Sequence, residues 1–155
     1  MRGVFIGLGS NLSDPVHQIE SAITALNETD EVSVVRRSSL YSSPPMGPQD
    51  QPDYINAVVE IETTLFAHDL LDKLQEIELH QGRVRQRHWG ERTIDLDLLV
   101  YGNNQLDDER LQIPHPGIAV RSFVLYPLAE IASHLRIPVM GSIEQLLNNC
   151  PSDGI

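Results

Sequence analysis

Two neighbouring groups of charged side chains in the middle of the chain have the chemistry of a nucleotide site. Four of the ten positions from 83 to 92 are arginine, in a chain with only 11 Lys and Arg: Arg83, Arg85, Arg87 and Arg92. An apolar run that contains Asp95 and Asp97 follows directly. Guanidinium groups bind phosphate oxygens in a bidentate manner, and carboxylates are oxygen ligands suited to magnesium. Together the two groups predict transfer chemistry on a nucleoside triphosphate.

The aspartate pair predicts a metal site because of what stands beside it. In a strand, Asp95 and Asp97 share one face with Cα atoms about 6.5–7 Å apart, while Ile94, Leu96 and Leu98 face a core. An isolated pair of this kind is more often a solvated strand face. Adjacent carboxylates repel unless a cation lies between them, and the arginines next to them favour bound phosphate. We therefore predict Mg²⁺ at Asp95 and Asp97.

The arginine segment has the composition of a loop that closes over substrate. Gly82 and Gly90 bracket it and give it conformational freedom. Trp89, the only tryptophan, lies within it; such a residue usually fills a packing gap, but in a lid it can exclude water. A merely solubilising loop is the alternative, although all four cations are arginine and the only lysine is Lys73.

Composition limits the class of protein. A net charge of -11 argues against a nucleic-acid partner, which requires a positive surface. The single cysteine, Cys150, excludes an internal disulfide framework and fits a reducing compartment. We find no signal-peptide pattern at the N-terminus and no apolar run of the ~20 residues that span a bilayer. The expectation is a cytoplasmic protein with one domain, residues 1–155, and no membrane association.

The predicted elements alternate in a recognisable order. Asp14 and Pro15 form a helix start, and apolar spacing continues that helix to about residue 28. The remaining elements are strands at 2–8 (ending in a turn at Gly9-Ser10-Asn11), 32–41, 54–62 and 94–101, and helices at 67–81, 123–133 (with Pro127 in its first turn) and 142–149. This order predicts an α+β, ferredoxin-like βαββαβ fold, with an antiparallel sheet, helices on one face and long functional loops.

A second group of residues could hold a flat heterocycle. The proline-rich segment 43–48 precedes Tyr54 and Asn56, which lie on the same face of a predicted strand. Tyr54 offers a stacking surface, and Asn56 offers both a donor and an acceptor. A plain rigid turn is the alternative. His115, between two prolines, has no second histidine at metal-ligand spacing, so a phosphate or hydroxyl contact is expected there.

These residues resemble a known family, the 6-hydroxymethyl-7,8-dihydropterin pyrophosphokinases of folate synthesis. The resemblance covers nearly the whole chain. Its most specific part is His88-Trp89-Gly90-Glu91-Arg92-Thr93-Ile94-Asp95-Leu96-Asp97-Leu98-Leu99. Further matches are Gly9-Ser10-Asn11-Leu12, Ser43-Pro44-Pro45-Met46-Gly47, Gln51-Pro52-Asp53-Tyr54-Ile55-Asn56 and Ile113-Pro114-His115-Pro116. It implies transfer of the terminal diphosphate of ATP to the pterin hydroxymethyl oxygen, with AMP as the other product.

The resemblance also implies roles for individual residues. Two Mg²⁺ ions would be held by Asp95 and Asp97, which with Arg83, Arg85 and Arg92 form the catalytic group. The implied pterin contacts are Ser43, Pro44, Met46, Tyr54, Asn56, Trp89 and Phe123. The implied ATP contacts are Gln75, Glu78, Arg85, Arg92, Leu98, Arg110, Gln112, His115 and Arg121. The chain departs from the family pattern at Gln112 and Ala119, and either Arg85 or Arg87 fills the second arginine position.

Two other classes of function make different predictions. A non-catalytic ferredoxin-like module that binds a small ligand would not need the aspartate pair. A metal-dependent phosphohydrolase would consume ATP without a pterin. The resemblance implies ATP and 6-hydroxymethyl-7,8-dihydropterin as partners, and the expected assembly is a monomer.

Overall fold

The computed structural model describes residues 1–12, 14–44, 51–81 and 93–150. Its main sheet contains the strands β1 (Val4–Ser10), β2 (Val32–Arg37), β3 (Tyr41–Ser43), β4 (Tyr54–Thr63) and β5 (Asp95–Tyr101). The order across the sheet is β2-β4-β1-β5, with β3 also paired to β4, and each pair is antiparallel. Helices α1 (Pro15–Glu28) and α2 (Ala67–His80) connect the strands in the βαββαβ order. The predicted α+β, ferredoxin-like fold is confirmed.

The C-terminal third adds small elements to this framework. Two short hairpins, β6–β7 (Leu106–Asp107 with Gln112–Ile113) and β8–β9 (Arg136–Ile137 with Gly141–Ser142), alternate with helices α3 (Ser122–Ile131) and α4 (Ile143–Asn148). A 3₁₀ turn at Ile118–Val120 precedes α3. In the part of the chain that is described, no helix combines the length and the apolar character needed to cross a membrane.

Helix α1 begins and packs as the sequence predicts. The Asp14 carboxylate accepts a hydrogen bond from the backbone N–H of His17, and Pro15 occupies the first helical position. Apolar residues recur on one side of the helix and are buried: Ile19, Ala22, Ile23 and Leu26. The cap satisfies a backbone donor that the helix cannot satisfy internally.

Two hydrophobic cores lie on opposite faces of the main sheet. Val4, Ile6 and Leu8 of β1 pack with α1 and α2, whereas Phe5, between them, packs with α3 and α4. This alternation follows from the two-residue period of a strand. The prediction of helices on one face is therefore incomplete: it holds for α1 and α2, while α3 and α4 cover the other face.

Three local predictions needed correction. The strand predicted at 32–41 is divided into β2 and β3, because an extra residue between Arg37 and Tyr41 interrupts the pairing with β4. At the interruption, Ser38 bonds to Val58 through both its backbone N–H and its hydroxyl. Such bulges leave the paired segments on either side in the same sheet.

The second and third corrections concern Gly9-Ser10 and Pro127. Gly9 and Ser10 belong to β1 rather than to a turn, since β1 is a central strand with partners on both sides. Pro127 lies inside α3, beyond its first turn, where it is buried. Proline lacks an N–H for the carbonyl four residues earlier; burial of its ring in the core offsets this loss.

Candidate active site

Strand register brings the predicted metal and heterocycle residues onto one face of the sheet. Asn56 of β4, Gly9 of β1 and Asp95 of β5 lie in one row across the sheet. Directly paired residues of antiparallel strands project from the same face. Two strand spacings separate Asn56 from Asp95, so their Cα atoms are roughly 10 Å apart. The face is thus shared by an amide group and the carboxylates.

Two glycines of β1 lie between these two groups. Gly7 is paired with Asp97 on one side and Val58 on the other, as Gly9 is with Asp95 and Asn56. A Cβ atom at Gly9 would lie 3.3 Å from Oδ1 of Asn56 and 3.6 Å from the Tyr54 ring. At Gly7 the corresponding space is occupied by the Leu99 side chain, whose Cδ atoms lie 3.4 Å from the Cβ position. A ligand can therefore approach the backbone of the central strand at Gly9 but not at Gly7.

We use the name acceptor pocket for the residues predicted to hold the heterocycle: Ser43, Tyr54 and Asn56 on this face, and Phe123 at the start of α3, the helix packed on the same face. Asn56 Nδ2 donates to the Ser43 hydroxyl at 2.7 Å and to the Tyr41 carbonyl at 3.4 Å. Ser43 and Asn56 are both buried, and Ser43 is paired with Tyr54. The amide of Asn56 is therefore oriented by the protein itself, as recognition of a heterocycle edge requires.

Phe123 and Arg121 enter from the start of α3. Phe123 packs against the core that contains Val58 and Leu99, and the Arg121 guanidinium carbon lies 5.8 Å from the centre of the Phe123 ring. Gly117 makes room for this guanidinium, because a Cβ there would lie 2.7 Å from Nε of Arg121. A cation and an aromatic ring thus meet at the start of α3.

His115 is held with one ring nitrogen free to donate. Its Nδ1 accepts a hydrogen bond from the Gly117 N–H at 3.0 Å, and its own backbone N–H donates to the Leu99 carbonyl at 2.8 Å. Burial lowers the pKa of His115 below its ordinary 6.5; the Asp97 carboxylate opposes this shift and Arg121 adds to it. A neutral ring that accepts at Nδ1 carries its proton on Nε2, which suits a phosphate or hydroxyl oxygen.

A cleft of about 410 Å³ lies along β5 between α2 and the β6–β7 hairpin. Five of the residues predicted to bind metal or ATP line it: Asp97, Leu98, Arg110, Gln112 and His115. Six lining residues were missed by the sequence reasoning: Leu71, Leu96, Asp108, Glu109, Leu111 and Pro116. The position of Leu71, one helical turn before Gln75, could have identified it. The volume is within the range of small-molecule sites.

Charged contacts join the two sides of this cleft. Arg110 Nη2 of the hairpin lies 2.8 Å from the Asp72 carboxylate and 3.3 Å from Oε1 of Gln75, both on α2. The structure thereby brings together Arg110 and Gln75, two predicted ATP contacts. Glu78, a third, accepts a hydrogen bond from the Leu96 N–H at 2.8 Å and fixes α2 to β5.

The end of β1 anchors the segments that follow the proline-rich loop and the arginine loop. Asn11 Nδ2 donates to Oε1 of Gln51 at 2.9 Å and to the Pro52 carbonyl at 3.0 Å. The Ser10 hydroxyl donates to the Thr93 carbonyl at 2.5 Å. The sequence reasoning assigned no role to Ser10 or Asn11 beyond the family resemblance, because these bonds join distant parts of the chain.

Several predicted site residues lie outside the described residues. They are Met46 in the proline-rich loop, and Arg83, Arg85, Arg87, Trp89 and Arg92 in the arginine segment, together with its flanking Gly82 and Gly90. Pro44 is described and lies directly after β3, which places it next to the acceptor pocket.

The carboxylates fit a magnesium ion that is shared with phosphate. Asp95 and Asp97 are not strongly buried, and they project from the same face of β5. Within the described ranges, no group of three or more His, Cys, Asp or Glu side chains could hold a metal. Mg²⁺ is usually bound by one or two carboxylates together with substrate phosphates and water. The pair therefore fits a metal that arrives with a nucleotide, rather than one enclosed by protein ligands.

Comparison with known proteins shows which family the chain is similar to. The model of the 7,8-dihydro-6-hydroxymethylpterin-pyrophosphokinase (HPPK) family matches residues 5–133. The 2-amino-4-hydroxy-6-hydroxymethyldihydropteridine pyrophosphokinase of Haemophilus influenzae is 53% identical over 143 residues, which are 92% of this chain and 89% of that protein. The enzyme of the same name from Pseudomonas aeruginosa is 49% identical over 152 residues, or 98% and 94% of the two chains.

A solved structure shares the fold at low sequence identity. Plasmodium falciparum HPPK-DHPS with pteroate superimposes with a TM-score of 0.74 over 94% of this chain, at 14% identity. The present chain spans only 42% of the length of that protein. The likeness extends to the fold alone.

Fold and site together define a ferredoxin-like α+β protein with a cleft of small-molecule size along β5. The family match and the relatives make the assignment specific: the chain belongs to the 7,8-dihydro-6-hydroxymethylpterin-pyrophosphokinase family.

Proposed function

We propose that this protein transfers the terminal diphosphate of ATP to the hydroxymethyl oxygen of 6-hydroxymethyl-7,8-dihydropterin, a step of folate synthesis, and releases AMP. The observation that carries this proposal is the position of Asp97. It lines the cleft beside β5 and projects from the sheet face that carries Asn56. A carboxylate shared by the two compartments lies where a phosphoryl-type transfer between two substrates must occur.

In the reaction, the hydroxymethyl oxygen forms a bond to the β-phosphorus of ATP. The bond between that phosphorus and the oxygen bridging to the α-phosphate breaks, AMP leaves with that oxygen, and the hydroxyl proton is released. Such transfers depend mainly on positioning and on stabilisation of phosphate charge. Fixed side chains on both sides of Asp97 are suited to both tasks.

On the nucleotide side, His115 and Arg121 supply donors and positive charge. Nε2 of His115 donates to a phosphate oxygen, and the guanidinium of Arg121 binds phosphate at the border with the acceptor pocket. Arg110, Gln75 and Gln112 line or border the part of the cleft that holds the nucleoside. Asp95 and Asp97 would hold the two Mg²⁺ ions that arrive with ATP, and these ions would neutralise phosphate charge. The predicted arginines 83, 85 and 92 complete the catalytic group in this proposal.

On the acceptor side, the pterin lies beside Gly9. Tyr54 and Phe123 stack on the faces of its ring, and Asn56 and Ser43 contact its polar edge. Support comes from the hydrogen bonds that orient the Asn56 amide. A flat ring is favoured by aromatic faces and an amide edge acting together.

The domain extent, the assembly state, the cellular location and the partners are part of the same proposal. We infer one pyrophosphokinase unit over residues 1–155, acting as a monomer in the cytoplasm, with ATP and the pterin as its partners. The single cysteine of the sequence supports a reducing compartment.

An assay of AMP release tests the proposal. The protein is incubated with ATP and Mg²⁺, with and without 6-hydroxymethyl-7,8-dihydropterin, and products are separated by ion-exchange chromatography. We expect AMP and the pterin diphosphate in equal amounts, dependent on the pterin and abolished by EDTA. ATP consumption without pterin, giving inorganic phosphate or diphosphate, would establish the phosphohydrolase alternative. Pterin binding without any turnover would establish a binding module.

A further inference from the structure

One exposed carboxylate outside the proposed site accepts an unusual number of hydrogen bonds. Glu130, near the end of α3, accepts from the Ser39 backbone N–H at 2.9 and 3.1 Å, one bond to each oxygen. Its Oε2 also accepts from the Ser39 hydroxyl, and its Oε1 from the Tyr41 hydroxyl, both at 2.8 Å. We call Glu130, Ser39 and Tyr41 the α3 latch. Both carboxylate oxygens are engaged by one short segment of chain.

The electrostatic surroundings favour the charged form of Glu130. Burial opposes its ionisation, but the bonds from Ser39 and Tyr41 and the nearby Arg37 outweigh this and lower the pKa of the carboxyl. Burial and Glu130 together raise the pKa of Tyr41 to about 12. Tyr41 is therefore a donor to an ionised carboxylate at neutral pH. Hydrogen bonds of this kind are stronger than those between neutral groups.

The latch connects the two sides of the acceptor pocket. On one side, α3 carries Phe123 at its start and Glu130 seven residues later, about 10.5 Å along the axis. On the other side, Tyr41 belongs to β3, and its carbonyl accepts from the Asn56 amide. Ser43, two residues further on, accepts from the same amide. A continuous set of bonds thus runs from Glu130 through Tyr41 to Asn56.

Apolar packing alone does not determine the position of α3 along the sheet. The helix is attached to β4 through buried side chains including Val124, Leu125 and Leu128, and hydrophobic contact is non-directional. The directional contacts at the end of the helix are the latch and one bond from Arg36 Nη1 to the Ile131 carbonyl at 3.0 Å. Hydrogen bonds with fixed geometry select one register from those that packing permits.

We propose that Glu130 is a positioning residue for the pterin. By joining the end of α3 to β3, it sets the distance between Phe123 and the pair Asn56 and Ser43. Glu130 does not touch the substrate. This inference rests on the proposed function, because it requires the acceptor pocket to hold the pterin.

Three variants and a control test this role by steady-state kinetics with each substrate varied. In Glu130→Ala we expect the KM for the pterin to rise about tenfold, since small displacements of positioning groups are costly, whereas the KM for ATP changes by less than about twofold. Glu130→Gln keeps an acceptor oxygen for Tyr41 or Ser39, so it should recover part of the pterin affinity. Tyr41→Phe removes only the hydrogen bond from Tyr41 to Glu130 and should give a smaller rise in the KM for the pterin. Glu62→Ala removes a half-exposed carboxylate of β4 that pairs with Arg2 at 3.1 Å, and should leave both KM values unchanged.

Direct binding separates positioning from a general loss of structure. The dissociation constant of the pterin is measured by calorimetry in the presence of a non-hydrolysable ATP analogue, alongside thermal melting of each variant. A weakened pterin site with unchanged nucleotide affinity supports the inference. Equal losses for both substrates, or an unchanged pterin KM in a folded Glu130→Ala variant, would overturn it. If that variant does not fold, the same criteria apply to Glu130→Gln and Tyr41→Phe. A wild-type protein that forms no AMP would overturn the proposed function as well, which distinguishes the two failures.

Discussion

At the scale of single residues, Asp97 differs from the chain's other carboxylates in the surroundings that the fold gives it. It borders the nucleotide-sized cleft, pairs with Gly7 of the central strand and lies close enough to His115 to oppose the lowering of that residue's pKa. The many other acidic side chains of this chain give it a net charge of -11, but charge alone does not identify a site. Its place beside the cleft and close to His115 is the reason that we propose it as a metal ligand.

Removal of the Asp97 charge should therefore affect chemistry more than folding. Asp97→Asn keeps the size of the side chain and removes the charge, so we expect at least roughly a hundredfold loss of kcat in the AMP assay, as for other losses of electrostatic stabilisation. Thermal melting should be little changed. Asp30→Asn, at an exposed position between α1 and β2, is the control and should be fully active. Near-normal turnover in Asp97→Asn would contradict the proposed metal site.

At the scale of elements, the central strand β1 has two structural roles. On one face, Gly9 puts no side chain beside Asn56 and Tyr54, and Gly7 accommodates the Leu99 side chain. On the other face, Val4, Ile6 and Leu8 pack against α1 and α2. Its end anchors Gln51, Pro52 and Thr93 through Asn11 and Ser10. This strand of seven residues thus carries the glycine beside Asn56, and its end holds the segments at Gln51, Pro52 and Thr93 in place.

A larger side chain at Gly9 should block the acceptor pocket selectively. In Gly9→Val the new side chain would approach Asn56 and Tyr54, whose atoms lie 3.3 and 3.6 Å from the Cβ position. We expect pterin binding to weaken by about tenfold or more, while nucleotide binding by calorimetry is retained, because the cleft lies beyond β5. Ser33→Val, at an exposed position of β2, is the matched control. A variant at Gly9 that binds pterin normally would show that the ring does not lie over β1.

At the scale of the whole molecule, the two hydrophobic cores share one sheet. Residues of β1, β4 and β5 contribute to both cores, so the site on the α3 face depends on packing on both sides. A β-bulge in β5 affects which core each residue joins. Phe5 pairs with Val100 and Ile6 with Leu98, which leaves Leu99 as the extra residue. Leu98 then belongs to the α1–α2 core and Leu99 to the α3 core.

Because the sheet is shared, a cavity in one core should destabilise the whole fold. Leu125 of α3 is fully buried, and Leu125→Ala should lower the free energy of unfolding by about 2–5 kcal/mol. Urea titration followed by circular dichroism should show a single transition, and hydrogen exchange in α1 should accelerate along with that in α3. Two separate transitions, with α1 unaffected, would show that the cores unfold independently.

Local patterns were sufficient for much of the fold. Helical spacing identified α1 and α2, strand alternation placed Asp95 and Asp97 on one face with Leu96 and Leu98 in the core, and the family resemblance is confirmed. These features depend on residues within a few positions of one another, where the periods of helix and strand constrain side-chain direction. The same patterns failed at Gly9-Ser10, because turn-forming residues also occur in a strand that needs an open face.

Tertiary structure alone decided which distant groups meet. Asp97 and His115 come from separate elements, and Ser39 and Glu130 are 91 residues apart, yet each pair lies together in the fold. Periodicity states which way a side chain points but not what it will contact, since a partner is selected by the packing of whole elements. The sequence by itself thus determined which side chains could do the chemistry, arginines for phosphate and carboxylates for magnesium, whereas the cleft and the α3 latch exist only once the strands are paired and the helices are packed.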